Sequence, residues 1–152
     1  MRLPRTLLSL LLLTVVACAS SEERRQVDTE SIAAALEVYL PRLGRAYATG
    51  DLAPLEGLAA QKEIGAIAKR ISDLAEQGRI LEPTFRELTI EEATIFNYAN
   101  AYVTTVEVWD LRSLATGSRE QLAEDIGQSN RVKYQLKREG ESWRVLFRAK
   151  QG

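Results

Sequence analysis

The side chains able to do chemistry in this chain are few. There is one cysteine, Cys18, and no histidine, which removes the usual acid/base group near neutral pH, any histidine-dependent nucleophile and the commonest metal ligand. A single thiol cannot close an internal disulfide. Acid/base work would fall to a carboxylate or a phenol, with Glu107, Asp110, Tyr47, Tyr98, Tyr102 and Tyr134 as the available types, and no two of them form a recognisable catalytic dyad. An aspartate beside a tryptophan on a strand, as in Trp109-Asp110, is more often a strand-end or surface residue, and the tyrosines and Trp109 are more often core. No catalytic residue, metal site or cofactor is therefore expected.

Cys18 closes the run Val15-Val16-Ala17-Cys18 behind an apolar core from Leu7 to Val16, interrupted only by Ser9 and Thr14 and preceded by Arg2 and Arg5. A basic start, a short apolar core and small residues at the cut are the parts of a secretory signal. The apolar run cannot be extended to the roughly 20 residues that span a bilayer, because Ser20-Ser21-Glu22-Glu23-Arg24-Arg25 follows at once. The run Val15-Val16-Ala17-Cys18 resembles the bacterial lipobox. That resemblance implies diacylglyceryl transfer to the Cys18 thiol, cleavage before Cys18 and N-acylation, with several acyl chains giving a stable anchor where one would be marginal. Ala19 after the cysteine implies, in a Gram-negative cell, the periplasmic face of the outer membrane. The expected organisation is a signal peptide over residues 1–17, a lipidated polar tether over 18–28 and a single domain over 29–152.

Cleavage would remove Arg2 and Arg5 from 20 basic residues and nothing from 21 acidic ones, leaving a net charge of about −3. Nucleic acid is excluded as a partner on this ground, since binding it needs a concentrated basic footprint. About 135 mature residues suffice for one buried core.

The elements that would hold any site follow from periodicity. Ile32, Leu36, Tyr39, Leu40, Leu43 and Tyr47 recur at helical spacing after a cap at Asp28 or Thr29, with Pro41 predicting a kink, or a break near Leu40. Gly50 ends that helix, Asp51 can cap the next and Pro54 sits in its first turn. Leu55, Leu58, Ile64, Ile67, Ile71 and Leu74 continue to Gly78, with a joint near residues 57–61. Beyond Gly78 the period becomes alternating. Residues 85–96, with an irregularity at Glu91-Glu92 that reads as a bulge, and residues 101–111 predict two strands. Residues 119–130 read as a mobile loop or short helix. Residues 131–137 and 143–150 form a hairpin about Glu139-Gly140-Glu141, with Trp143, Val145, Phe147 and Ala149 on the inner face of its second strand.

Helices first and a curved antiparallel sheet afterwards is an α+β order. The turn Tyr47-Ala48-Thr49-Gly50-Asp51-Leu52-Ala53-Pro54-Leu55 and the hairpin from Tyr134 to Val145 resemble the nuclear-transport-factor-2-like superfamily, a cone-shaped fold. Within it, Val106-Glu107-Val108-Trp109-Asp110-Leu111 followed by Thr116-Gly117 is similar to the intermembrane-space domain of chloroplast-division proteins. The resemblance implies a cone, with Tyr39, Tyr47, Tyr134, Trp143 and Phe147 as candidate lining. On the outer face of the last hairpin, Arg131, Lys133, Lys137, Arg144, Arg148 and Lys150 predict a basic stripe, read as a solvated face or as contact with an acidic surface of lipid or protein. Two functions are compatible with these readings: a non-catalytic protein-interaction module on the envelope, or a carrier holding a small apolar ligand or lipid in the cone.

Overall fold

The computed structural model describes residues 21–152; the leader, with Cys18, lies outside the described residues. Helix α1 (Ser21–Thr49) is followed by a short 3-10 turn (Ala53–Leu55), helix α2 (Gln61–Glu76) and four strands, β1 (Arg79–Phe96), β2 (Asn100–Ala115), β3 (Gln121–Glu139) and β4 (Ser142–Lys150). The strands form one antiparallel sheet in sequence order. The helices pack on its inner face, the α+β architecture that the change of period predicts.

Helix α1 buries Ile32, Leu36, Tyr39, Leu40, Leu43 and Ala46 along one stripe. It runs unbroken through Pro41, which is exposed. Glu37, whose carbonyl loses its partner there, is likewise exposed, while buried side chains on both sides of the proline hold the helix to the sheet. The helix also begins earlier than expected: residues 21–28, read as part of an extended tether, form its first two turns. Asp28 is buried and receives Arg138 Nη1 at 3.0 Å, and Trp143 Nε1 donates to Ser31 Oγ at 2.9 Å. These bonds tie the start of α1 to the β3–β4 hairpin.

Close approach fixes the middle of α1. A Cβ on Gly44 would stand 2.7 Å from the Pro83 carbonyl oxygen and 3.3 Å from Cζ3 of Trp109, so glycine is what allows the helix to reach β1 and β2. Between the helices, Asp51 Oδ1 accepts the Ala53 N–H at 3.1 Å, and Gly50 takes the left-handed φ of 76° that ends α1. The linker into α2 then pairs with β4: Val145 N donates to Leu58 O at 2.8 Å and Ala60 N to Val145 O at 2.7 Å. That pairing covers part of an open sheet edge.

Bulges decide which side chains face the helices. Register shifts fall between Phe85 and Glu87 and between Ile90 and Glu92 in β1, the second where the irregular alternation predicts one. In β4, Val145 faces Leu136 but Phe147 faces Gln135, leaving Leu146 as an extra residue. One extra residue inverts the faces of everything beyond it. Residues 121–130 are the other departure: they are strand, bonded along β2, and not a loop or helix. They are exposed on both faces almost throughout, so they carry no alternation to read.

Candidate functional site

The bulge at Leu146 corrects two expectations at once. Phe147, expected inside the cone, turns outward opposite Gln135 and is 50% exposed. Arg148, expected on the outer basic stripe, turns inward opposite Tyr134. Lys150 follows it, opposite the buried Val132, and sits at the mouth of the cone and not on the outer stripe. Arg131, Lys133, Lys137 and Arg144 keep to the other face. Of these, Arg131 pairs with Glu91 at 2.6 Å and Arg144 with Glu139 at 3.2 Å, and Arg144 Nε also donates to Ala59 O at 3.1 Å. The stripe is therefore shorter than the sequence suggests and partly neutralised.

Inside, Val103, Thr105, Glu107 and Trp109 alternate along β2 toward the helices, and all four are buried. Glu107 is 0% exposed. Its Oε2 accepts Trp109 Nε1 at 2.8 Å and Arg148 Nη2 at 2.6 Å, and its Oε1 accepts the Tyr134 hydroxyl. Arg148 Nε in turn donates to Tyr134 Oη at 3.0 Å. Burial works against the charge of Arg148, but Tyr134 and Glu107 outweigh it and hold the guanidinium protonated, with its pKa above the ordinary value. Burial likewise pushes the Tyr134 phenol well above its usual range. A carboxylate with three donors from its own chain is a closed, satisfied network.

Glu63, on the first turn of α2, completes the site. It is 6% exposed, its Oε2 accepts the Arg148 backbone N–H at 3.2 Å, and burial pushes its pKa up, opposed by that hydrogen bond and by the Arg148 charge. Sequence reasoning passed over it, although Glu63, Ile67 and Ile71 stand four apart on the apolar stripe of α2. The neighbouring Tyr39 hydroxyl, buried and without a hydrogen bond of ordinary geometry, faces Glu63 closely enough to oppose the upward push on that carboxyl. Burial first, and the charge of Glu63 second, raise the Tyr39 pKa. Tyr47, half-buried at the mouth, is raised mainly by burial.

The other candidates lie elsewhere. Trp143 is buried beneath α1, at Ser31. Tyr98 and Tyr102 are exposed on the outside. Asp110 accepts Gly127 N at 2.9 Å and Arg86 Nε at 2.6 Å, and these two partners, Gly127 first, lower its pKa. It fastens two bulged stretches of neighbouring strands and does not point into the cone.

Among the described residues, two adjoining shallow grooves open at the mouth, sharing Leu43, Tyr47 and Arg148. One, about 270 Å³, runs past Lys62, Glu63 and Phe147; the other, about 250 Å³, runs past Arg70, Trp109, Leu111 and Lys150. Deeper in, the space belongs to Glu107, Tyr134 and Trp109. The arrangement can present charge and apolar surface at its rim, and it buries its strongest acceptor out of reach.

No protein-family model matches this chain, and no curated protein matches its sequence. Solved structures do resemble it. The intermembrane-space region of the chloroplast protein ARC6 superposes with a TM-score of 0.68 at 11% identity, covering 81% of this chain and 95% of that one. A periplasmic fragment of TraM gives 0.57 at 11% identity, over 82% and 97% of the two chains. A candidate dehydratase of the NTF2-like family from Streptomyces avermitilis gives 0.52 at 15% identity, over 82% and 96%. The chain thus has an NTF2-like fold, and at such identities the likeness concerns the fold alone.

Proposed function

We propose that this chain is an exported lipoprotein, held to the membrane by acylated Cys18, whose α+β domain is a non-catalytic protein-interaction module on the envelope. In a Gram-negative cell it stands on the periplasmic face of the outer membrane. The observation that carries the interaction reading is the filled cone: Glu107 has its acceptors taken by Trp109, Tyr134 and Arg148. Taken singly, the grooves at the mouth, about 270 and 250 Å³, fall just below the roughly 300–1,000 Å³ of small-molecule sites. Two structures with this fold, one an intermembrane-space region and one a periplasmic fragment, support a domain that works outside the cytoplasm.

The fold also leaves a surface suited to a protein. β4 pairs with β3 only from Val132 onward, so residues 121–130 form a sheet edge with Leu122 and Ile126 exposed beside Glu124 and Asp125. Such an edge accepts an added strand, and its charge selects a segment with apolar and basic side chains. A photoreactive residue in place of Ile126, in the lipoprotein expressed in its own cell, is expected to give one discrete protein adduct that competes with the unlabelled domain. Absence of any adduct there and at Leu122 would count against this reading.

The carrier reading has one observation in its favour. Arg70 and Lys150 flank the groove lined by Trp109 and Leu111, a setting for a small amphipathic anion. It is the alternative that a bound ligand would restore.

A further inference from the structure

We infer that the tip of the β1–β2 hairpin, together with the first turns of α1, is a membrane-contact surface that seats the domain on the bilayer to which Cys18 ties it. This inference rests on the lipid-anchor reading above and adds where and how the domain meets the lipid.

Four aromatic side chains are strongly exposed among the described residues: Phe96, Tyr98, Tyr102 and Phe147. Three of them stand on one hairpin, with Phe96 and Tyr102 in edge-to-face contact at 5.7 Å. Tyr98, 65% exposed, occupies the turn at a left-handed φ of 57°, next to Asn97 at 49°. A tight turn of this hand favours asparagine followed by glycine, and a bulky side chain in the second place is held there at a conformational cost. An aromatic ring is thus kept at the apex, 65% exposed, despite that cost.

The position of the chain's beginning says what the ring meets. The Arg24 guanidinium lies over the Tyr98 ring at 5.7 Å, so the hairpin tip and the start of α1 share one end of the domain. Ser21 follows Cys18 by three residues, which fully extended reach only about 10 Å. The acyl anchor therefore enters the bilayer beside the aromatic tip. A groove of about 370 Å³ between the two elements is lined by Arg24, Arg25, Ile95 and Tyr98 together with Asp28, whose carboxylate is already taken by Arg138. Tyrosines beside arginines at the level of the headgroups are the usual composition of a membrane interface. The outer basic stripe, by contrast, is partly paired, with Arg131 held by Glu91 and Arg144 by Glu139.

The test uses the full acylated lipoprotein in vesicles of phosphatidylethanolamine and phosphatidylglycerol. With Cys18 acylated, a Tyr98→Cys variant offers a single free thiol for a fluorophore. Glu124→Cys, at the other end of the sheet, is the reference. Spin-labelled lipid is expected to quench the label at 98 about threefold or more beyond that at 124, as for groups buried 5–10 Å into the interface. A Tyr102→Cys label is expected to follow the label at 98. Equal quenching at all three positions, with acyl mass present on the Cys18 peptide, would overturn the proposal while sparing the anchor. A Cys18 peptide without acyl mass would overturn both.

Discussion

Arg148 and Glu107, 41 residues apart in the chain, meet at 2.6 Å beneath α1, and they meet because Leu146 is one residue too many for the β3–β4 ladder. Without that bulge Arg148 would face solvent and Glu107 would be a buried carboxylate lacking its cation. Irregularity in β4 and the polar heart of the cone are thus one feature.

Breaking the pair from one side should be costly. Arg148→Met leaves Glu107 buried without its cation, and the expected loss is about 3 kcal/mol, the lower end for a broken buried pair because the arginine side chain retains 21% exposure. The double variant Arg148→Met with Glu107→Gln should recover most of it. Denaturant midpoints of the three proteins measure both effects; equal losses in the single and double variants would show that the charge pair is not what holds the cone closed.

Two glycines in helices should respond in opposite directions. At Gly44 an added methyl meets backbone 2.7 Å away, so Gly44→Ala is expected to cost about 1–3 kcal/mol from overpacking despite its gain in helix propensity. At Gly65 nothing lies within 4 Å, so Gly65→Ala is expected to stabilise α2 by about 0.5–1 kcal/mol. Thermal melting of the pair tests whether Gly44 sets the spacing of helix and sheet.

Glu63 makes a pH prediction whose sign follows from its raised pKa. A carboxyl that holds its proton more tightly when folded contributes stability below the unfolded value near 4.5, and that contribution is lost as the pH rises through the folded value. Glu63→Gln, which keeps an acceptor for the Arg148 N–H, should therefore be more stable than the parent at pH 8 and indistinguishable from it at pH 4. A constant difference across that range would show that burial of Glu63 charge is not the cause.

Much of this arrangement is legible in the residues. The stripe from Ile32 to Tyr47, the Gly50-Asp51 turn and the closing hairpin each pair a period with a stop signal, and each forms where expected. Residues 121–130 are illegible because hydrogen bonds to β2, and no buried face, make them a strand. The inward turn of Arg148 is hidden for a different reason: nothing in Leu146 as a residue type announces a bulge, and strict alternation sends Phe147 inside in its place. Glu63 was readable, as a carboxylate on an apolar helical stripe, but only the fold shows that Arg148 is what it faces. For Asp110, position beside a tryptophan said little, whereas the bonds to Gly127 and Arg86 show a fastening role.

The anchor reading predicts that Cys18→Ser abolishes both fatty-acid labelling and removal of the leader. Labelling and the mass of the purified protein report the two separately, and undiminished labelling of the variant would place the lipid elsewhere.

The most direct measurement is native mass spectrometry of the mature lipoprotein released from detergent micelles. A module with a filled cone, anchored at Cys18, should show the polypeptide from Cys18 onward plus acyl groups confined to that residue, with no further small molecule. A stoichiometric non-covalent adduct that extracts into solvent, or a Cys18 without acyl mass, would contradict it.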